Sequence, residues 1–281
     1  MMGMIDRCLG FLRSQSFTRL EPLVLINGLA EQSVTWYRNR RAWEWYFDVK
    51  VPELLIYDGP VLHRRIDEGL PISVAFLTDQ LEAYLDTFVQ NPPYHLVASS
   101  LDGQIAVEYA ARHPENVNRV VLICPSGMGG EEKLPFVEGV RHNDYEAMIS
   151  SIFYHRKSVN PGVVRYYERQ FASKKWKKGI LRTVRGTSSH SVRDKLPQMH
   201  QPTLLICGQE DQIVDPRLAR EAIQGLPNFR LHMIPRCGHA PHMEYARYVN
   251  RVVRNFLTKP LPAFATARRP AEAMEANPSY A

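Results

Sequence analysis

Cysteine is scarce in this chain: Cys8, Cys124, Cys207 and Cys237 are its whole supply. None forms a C-x-x-C pair or stands at zinc-ligand spacing, so neither a zinc module nor a disulfide framework organises the fold. Cys124 and Cys207 each follow an apolar run, as small buried hydrophobes do, and free thiols suit a reducing compartment. Long apolar runs are missing too. No stretch reaches membrane-spanning length. Arg7 and Arg13 interrupt the opening segment "MMGMIDRCLGFLRSQSFTRL" before it builds a signal-peptide core. These absences lead us to expect a cytoplasmic protein without a membrane span. A large charge excess is also lacking. A net charge of +6 over 281 residues is mild and does not point to nucleic acid, and no nucleic-acid-reading motif accompanies it. No internal repeat is present.

The charge that exists is uneven. Between Arg156 and Arg193 the chain reads "RKSVNPGVVRYYERQFASKKWKKGILRTVRGTSSHSVR", with few acids. Two readings compete: a solvated helical face, or a basic rim around Lys174, Lys175, Lys177 and Lys178 that draws in anionic substrates or a membrane surface.

Apolar, β-branched runs recur along the chain. They are Leu23 to Asn27, a region from Phe47 to Tyr57, His95 to Ser99, Val120 to Cys124, Thr203 to Cys207, and Arg230 to Ile234. Most are continuously apolar, as parallel strands buried on both faces are. Between them lie helical patterns at Thr78 to Val89, Gln104 to Arg112, Arg217 to Gln224 and Met243 to Leu257. Asp215-Pro216 reads as an N-cap and first-turn proline. Strands alternating with helices give an α/β fold built on a mostly parallel sheet flanked by helices.

The alternation breaks over residues 128–197, which are helical and aromatic. We expect a helical lid there, inserted between core segments 1–127 and 198–258. It would cover the carboxyl ends of the strands, where ligands of open α/β sheets bind. Residues 259–281, rich in Pro and Ala, read as a poorly ordered or surface-draped tail.

Chemistry concentrates in "HLVASSLDGQIAVEYAARHPENVNRVVLI", His95 to Ile123. An apolar run ends in Ser99 and Ser100, and a helical pattern follows. A sharp turn from strand into helix aims a serine Oγ out of the sheet and sets the next N–H at a helix N-terminus. With the turn aligned on Ser100, Ala98 stands two residues before it and Asp102 two after.

This stretch resembles the nucleophile elbow of the α/β-hydrolase superfamily, with a degraded G-x-S-x-G. The resemblance runs from roughly Pro22 to Leu257, and three further matches follow the family's order. "LVLINGLAEQSVTW" is similar to the strand and H-G-x loop of the oxyanion hole, with Asn27 in place of the usual His. It implies that the Leu29 and Leu101 N–H groups form the hole. "LLICGQEDQIVDP" resembles the strand end that carries the triad acid and points to Asp211. Glu210 and Asp215 compete, but Glu210 is one residue out of register and Asp215 suits a helix cap. "IPRCGHAPHMEYARYVNRVVRNFL" resembles the loop that delivers the general base and points to His239. His242 is the alternative, and the two histidines also read as an H-x-x-H metal pair. That reading is set aside because no helix or third ligand supports it; His242 and Glu244 are expected to brace the loop.

The resemblance therefore implies a serine hydrolase with Ser100, Asp211 and His239 as its triad, acting on a small-molecule substrate without metal or organic cofactor. A small carboxylic ester is the simplest substrate; C–C bonds, lactones, thioesters and amides are cleaved by the same triad elsewhere in the superfamily. A catalytically weak, receptor-like ligand binder is the rival from another class. Of the large residues near the expected cleft, Trp36, Phe136, Phe153 and Tyr154 are the candidate substrate contacts. Asp102 departs from the family pattern, which has a glycine there for close packing. It would complement the helix dipole as a first-turn carboxylate, crowd the elbow, place negative charge near the oxyanion hole, or act as a carboxylate nucleophile; the register favours Ser100 for that last role.

Overall fold

The computed structural model describes residues 20–31, 33–89, 92–130, 132, 137, 139 and 142–260. Six parallel strands form its single sheet: β1 (Pro22–Ile26), β2 (Asp48–Lys50), β3 (Tyr94–Ser99), β4 (Val117–Ile123), β5 (Thr203–Gly208) and β6 (Phe229–Ile234). Their spatial order is β2-β1-β3-β4-β5-β6. β3 lies centrally, so its end opens into the middle of the sheet's upper edge.

The two-residue strand period sorts the core into two clusters. Val24, Ile26, Leu96, Ala98, Val120 and Leu122 face one way, beneath α2 (Pro60–Asp67), α3 (Val74–Phe88) and α4 (Asp102–Arg112). Leu23, Leu25, Val97, Val121, Ile123 and Ile206 face the other. There they meet Trp43 of α1 (Tyr37–Trp43) and Val249, Val253 and Phe256 of α10 (Ala246–Thr258). Helices on both faces of a parallel sheet give the three-layer α/β fold that the apolar runs imply.

The remaining helices are α5 (Tyr145–Ser150), α6 (Pro161–Ala172), α7 (Lys174–Thr187), α8 (Pro216–Ala222) and α9 (Pro241–Glu244). Helices α5 to α7 lie in the long connection from β4 to β5. An aromatic cluster holds them together: Phe171 meets Trp176 at 4.7 Å between ring centroids and stacks on Tyr145 at 5.2 Å. Three contacts pin this connection over the strand ends. Tyr167 Oη donates to the Ala30 carbonyl at 2.8 Å. His239 N–H donates to Ile152 O at 2.7 Å. Glu244 accepts from the His155 N–H at 2.6 Å.

The apolar region from Phe47 to Tyr57 is mostly not a strand. Only Asp48–Lys50 pairs with β1. Pro52 has no N–H to give a ladder, and the chain leaves the sheet edge to wall a cavity instead. The expected helix from Met243 is split into α9 and α10 by Tyr245 at φ −122°. Phe136 and Cys8, and residues 261–281 of the expected tail, lie outside the described residues.

Candidate active site

The turn between β3 and α4 holds Ser100 at φ 51°. That left-handed conformation costs a non-glycine residue about 1–2 kcal/mol, and the surroundings enforce it. Ser100 N–H donates to Ile123 O at 2.9 Å, and Ser100 O accepts from the Ser126 N–H at 3.0 Å. The tight packing expected at residue 102 falls one residue later. A Cβ on Gly103 would sit 2.8 Å from Pro125 Cβ, closer than real contacts allow. Asp102 therefore does not crowd the elbow, because its side chain leaves on the other side of the helix start.

Ser100 Oγ lies 2.8 Å from His239 Nε2. His239 Nδ1 lies 2.8 Å from Asp211 Oδ2. The other Asp211 oxygen accepts from the N–H groups of Ile213 at 2.8 Å and Val214 at 3.2 Å. Asp211 thus has a fixed orientation, and its side chain is only 1% exposed. An imidazole that donates from Nδ1 to this carboxylate leaves Nε2 free to accept the serine proton. Burial by itself would lower the pKa of His239. The Asp211 charge and hydrogen bond outweigh it, helped by Glu31 and Glu132, and the net shift is upward. Neither competing acid reaches the imidazole: Glu210 accepts from the Cys237 N–H, and Asp215 caps α8 through the Arg217 N–H.

Leu29 and Leu101 line the cavity that contains Ser100 and His239, about 70 Å³ in volume. Among the described residues, neither Leu29 N–H nor Leu101 N–H donates a hydrogen bond. Gly28 lets the loop approach: a Cβ there would lie 3.1 Å from Ser100 Cβ.

The residue that sequence reasoning missed is Glu31. Its carboxylate folds back over this loop, accepting from the Gly28 N–H at 2.9 Å and from Ser99 Oγ at 3.4 Å. It walls the serine cavity together with Glu132. The acids that wall the serine cavity are therefore Glu31 and Glu132, and Asp102 is not one of them. A loop glutamate after β1 carries no local signal that it will face a serine from another strand.

Asp102 faces a different cavity of about 150 Å³, shared with Asn27, Glu31 and Tyr57. It is 8% exposed. Burial, with a smaller contribution from Glu31, pushes its carboxyl well above the usual range. Burial thus disfavours the charged form that a carboxylate nucleophile needs.

The expected substrate contacts divide. Phe153 lines a wide cleft of about 1010 Å³ that also contains Glu31, Ile152 and Tyr167, residues of the serine cavity's wall. Tyr154 is exposed. Trp36 is a correction: it is fully buried, packed on His242 at 4.5 Å and near Trp43, because the 3-10 turn at Ser33–Trp36 rotates it into the core. Glu244 braces the His239 loop through the Gly238 N–H, whereas the His242 ring nitrogens have no partner among the described residues. Lys174, Lys175 and Lys178 are exposed on the outer side of α7, opposite Trp176 and Ile180, with Lys178 paired to Asp67. These lysines form a solvated face.

Ligand atoms of Cys124, Asp211 and His239 lie within 4.8 Å of one another. Both imidazole nitrogens are already engaged, however, and burial pushes the Cys124 thiol well above its ordinary pKa. The thiol therefore acts as packing beneath the acid. No helix among the described residues is long and apolar enough to cross a membrane.

Comparison with known proteins agrees with this fold. A monoacylglycerol lipase of Mus musculus is 26% identical over 188 residues, covering 59% of this chain and 55% of its own length. A 2-hydroxy-6-oxo-6-phenylhexa-2,4-dienoate hydrolase of Comamonas testosteroni is 27% identical over 177 residues, covering 58% of this chain and 62% of its own. The chain thus spans little more than half the length of the curated relatives it matches. Among solved structures, a meta-cleavage product hydrolase of Pseudomonas fluorescens superposes with a TM-score of 0.69 at 19% identity, covering 85% of this chain and 91% of that one. A serine hydrolase from a Cycloclasticus bacterium gives 0.72 at 17% identity, covering 85% and 90%. The alpha/beta hydrolase family profile matches residues 23–252, and this chain belongs to that family of hydrolases.

Proposed function

We propose that this hydrolase cleaves small carboxylic esters, with Ser100 as nucleophile, His239 as general base and Asp211 as its orienting acid. The observation that carries the reading is the unbroken path of 2.8 Å contacts from Ser100 Oγ through His239 to Asp211. Ser100 Oγ attacks the acyl carbonyl as its proton passes to His239 Nε2. The imidazolium is stabilised by Asp211 and returns the proton to the leaving alcohol. The Leu29 and Leu101 N–H groups receive the oxyanion, where preorganised donors are worth several kcal/mol of barrier, roughly 3 per donor. Water, deprotonated by His239, then releases the acid. Residues 128–197 would serve as the lid and the Phe153 cleft as the approach for an apolar group.

Ester cleavage is favoured over C–C cleavage by charge. The dienoates named for some relatives are anions. Among the described residues, the serine cavity presents Glu31 and Glu132 and no lysine or arginine, a lining that repels an anionic substrate. Monoacylglycerols, named for other relatives, are uncharged esters.

The test is labelling with a fluorophosphonate, followed by a graded series of nitrophenyl esters run beside a lactone and a vinylogous diketone. Labelling that vanishes in Ser100→Ala, with ester turnover the fastest, is expected. Folded protein that neither labels nor turns over an ester would refute the reading and favour a receptor-like binder.

A further inference from the structure

The cavity that holds Asp102 is separate from the serine cavity, and its walls have a distinct chemistry. Its floor carries Asp102 and Asn27, 8% and 7% exposed. Its mouth carries Glu53 and Asp58, both exposed. Tyr57, Tyr166 and Trp176 supply aromatic faces. Among the described residues, no lysine, arginine or histidine is among its walls, in a chain whose net charge is +6.

Two buried groups on the floor lack partners. The Asp102 carboxyl has no hydrogen-bond partner among the described residues. Asn27 Oδ1 is also without one; among the described residues the amide's only hydrogen bond is from Nδ2 to Pro52 O at 3.5 Å. Unpartnered buried acceptors are costly, and both are satisfied by one kind of occupant: a cation that brings donors or positive charge. Aromatic rings around acids are the environment that attracts an organic ammonium through the ring quadrupole. Glu31 walls both cavities, and Gly28 separates this one from Ser100. An occupant here would therefore lie beside a reacting ester.

We propose that this cavity is a subsite for an alkylammonium group of the substrate, so that the enzyme prefers cationic esters over neutral esters of the same shape. The proposal rests on the ester-hydrolase reading for its kinetics but not for its binding. Asp102 and Glu31 supply the charge, Asn27 a dipole, and the three rings the walls. Asp102 thereby has a binding role that explains an acid at the start of α4.

Two matched pairs of nitrophenyl or alkyl esters test it. In one, trimethylammonio-butanoate is compared with its neutral isostere carrying tert-butyl. In the other, choline butanoate is compared with the corresponding neutral dimethylbutyl ester. For at least one pair, kcat/KM of the cationic member should exceed that of the neutral member by about tenfold, the size of one desolvated cation–aromatic contact plus a charge pair. Asp102→Asn should bring that ratio towards one; the ratio, not the absolute rate, is the readout. Neutral esters turned over as fast as cationic ones by the wild type would overturn the subsite while leaving ester hydrolysis standing. Should no ester be cleaved, calorimetric titration of butyltrimethylammonium into Ser100→Ala still decides the question. Saturable binding that Asp102→Asn weakens supports the subsite. Absence of binding, or binding of Ca²⁺ with none of the ammonium, refutes it.

Discussion

Two carboxylates are buried within reach of the same serine turn, and their circumstances are opposite. Asp211 sits at the end of β5 and meets three donors: the His239 imidazole and the N–H groups of Ile213 and Val214. Asp102 sits at the start of α4 and meets none among the described residues. Burial therefore favours protonation of Asp102, reinforced by Glu31. Burial alone does not set a carboxylate's task. The donors arranged around it do: hydrogen bonds hold an acid in its charged form, and their absence leaves it protonated or waiting for a cation.

The largest break in that comparison is expected in activity. Asp211→Asn should lower kcat on a nitrophenyl ester by about 10⁴-fold, since the imidazole then loses its orienting acceptor. Asp102→Asn should leave far more of the rate on a neutral ester, because no proton of the reaction passes through it. Equal losses in the two variants would end the distinction between them. Next in size is packing. Gly103→Ala should cost about 1–3 kcal/mol in denaturant unfolding, as its methyl meets Pro125. Asp102→Ala, one residue away, should cost nothing comparable.

A smaller effect concerns stability against pH. The pKa of Asp102 is raised in the folded state, so its contribution is fully present below the unfolded value, about 3.9. It is lost as pH rises through the folded pKa. Asp102→Asn removes that loss. The variant should be more stable than the wild type by about 1 kcal/mol at neutral pH, and the gain should shrink as the pH falls towards that of a free carboxyl. Unfolding curves at several pH values check it; a gain that grows on acidification would contradict the burial argument. The smallest effect is a displacement of a profile. The negative charge of Glu31 helps raise the pKa of His239, and the base must be neutral to work. Glu31→Gln should move the acidic limb of kcat/KM to lower pH. No movement would mean that the Glu31 charge does not reach the imidazole.

Much of this was readable before folding. Continuous apolar runs announced a parallel sheet because strands buried on both faces admit few polar residues. The order of Ser100, Asp211 and His239 along the chain marked three strand ends, and the topology carries all three to one edge of the sheet. Less was readable where the answer depends on what another segment places opposite. Pro52 explains why β2 is short, but the apolar content around it suggested a longer strand. Trp36 looked like a pocket residue and became core, because the turn before α1 aims it at His242.

By itself, then, the sequence determined the layered fold, since periodicity is a property of the chain alone, and its resemblance to the hydrolase superfamily pointed to the serine, acid and histidine. Only the tertiary structure decided the electrostatics of the site. Glu31 lies 69 positions from Ser100 along the chain, and its carboxylate faces the serine because Gly28 permits a close approach. Burial disfavours the charge of Asp102 because nothing among the described residues donates to it. Charge state depends on what packs nearby in space, and local sequence does not record that.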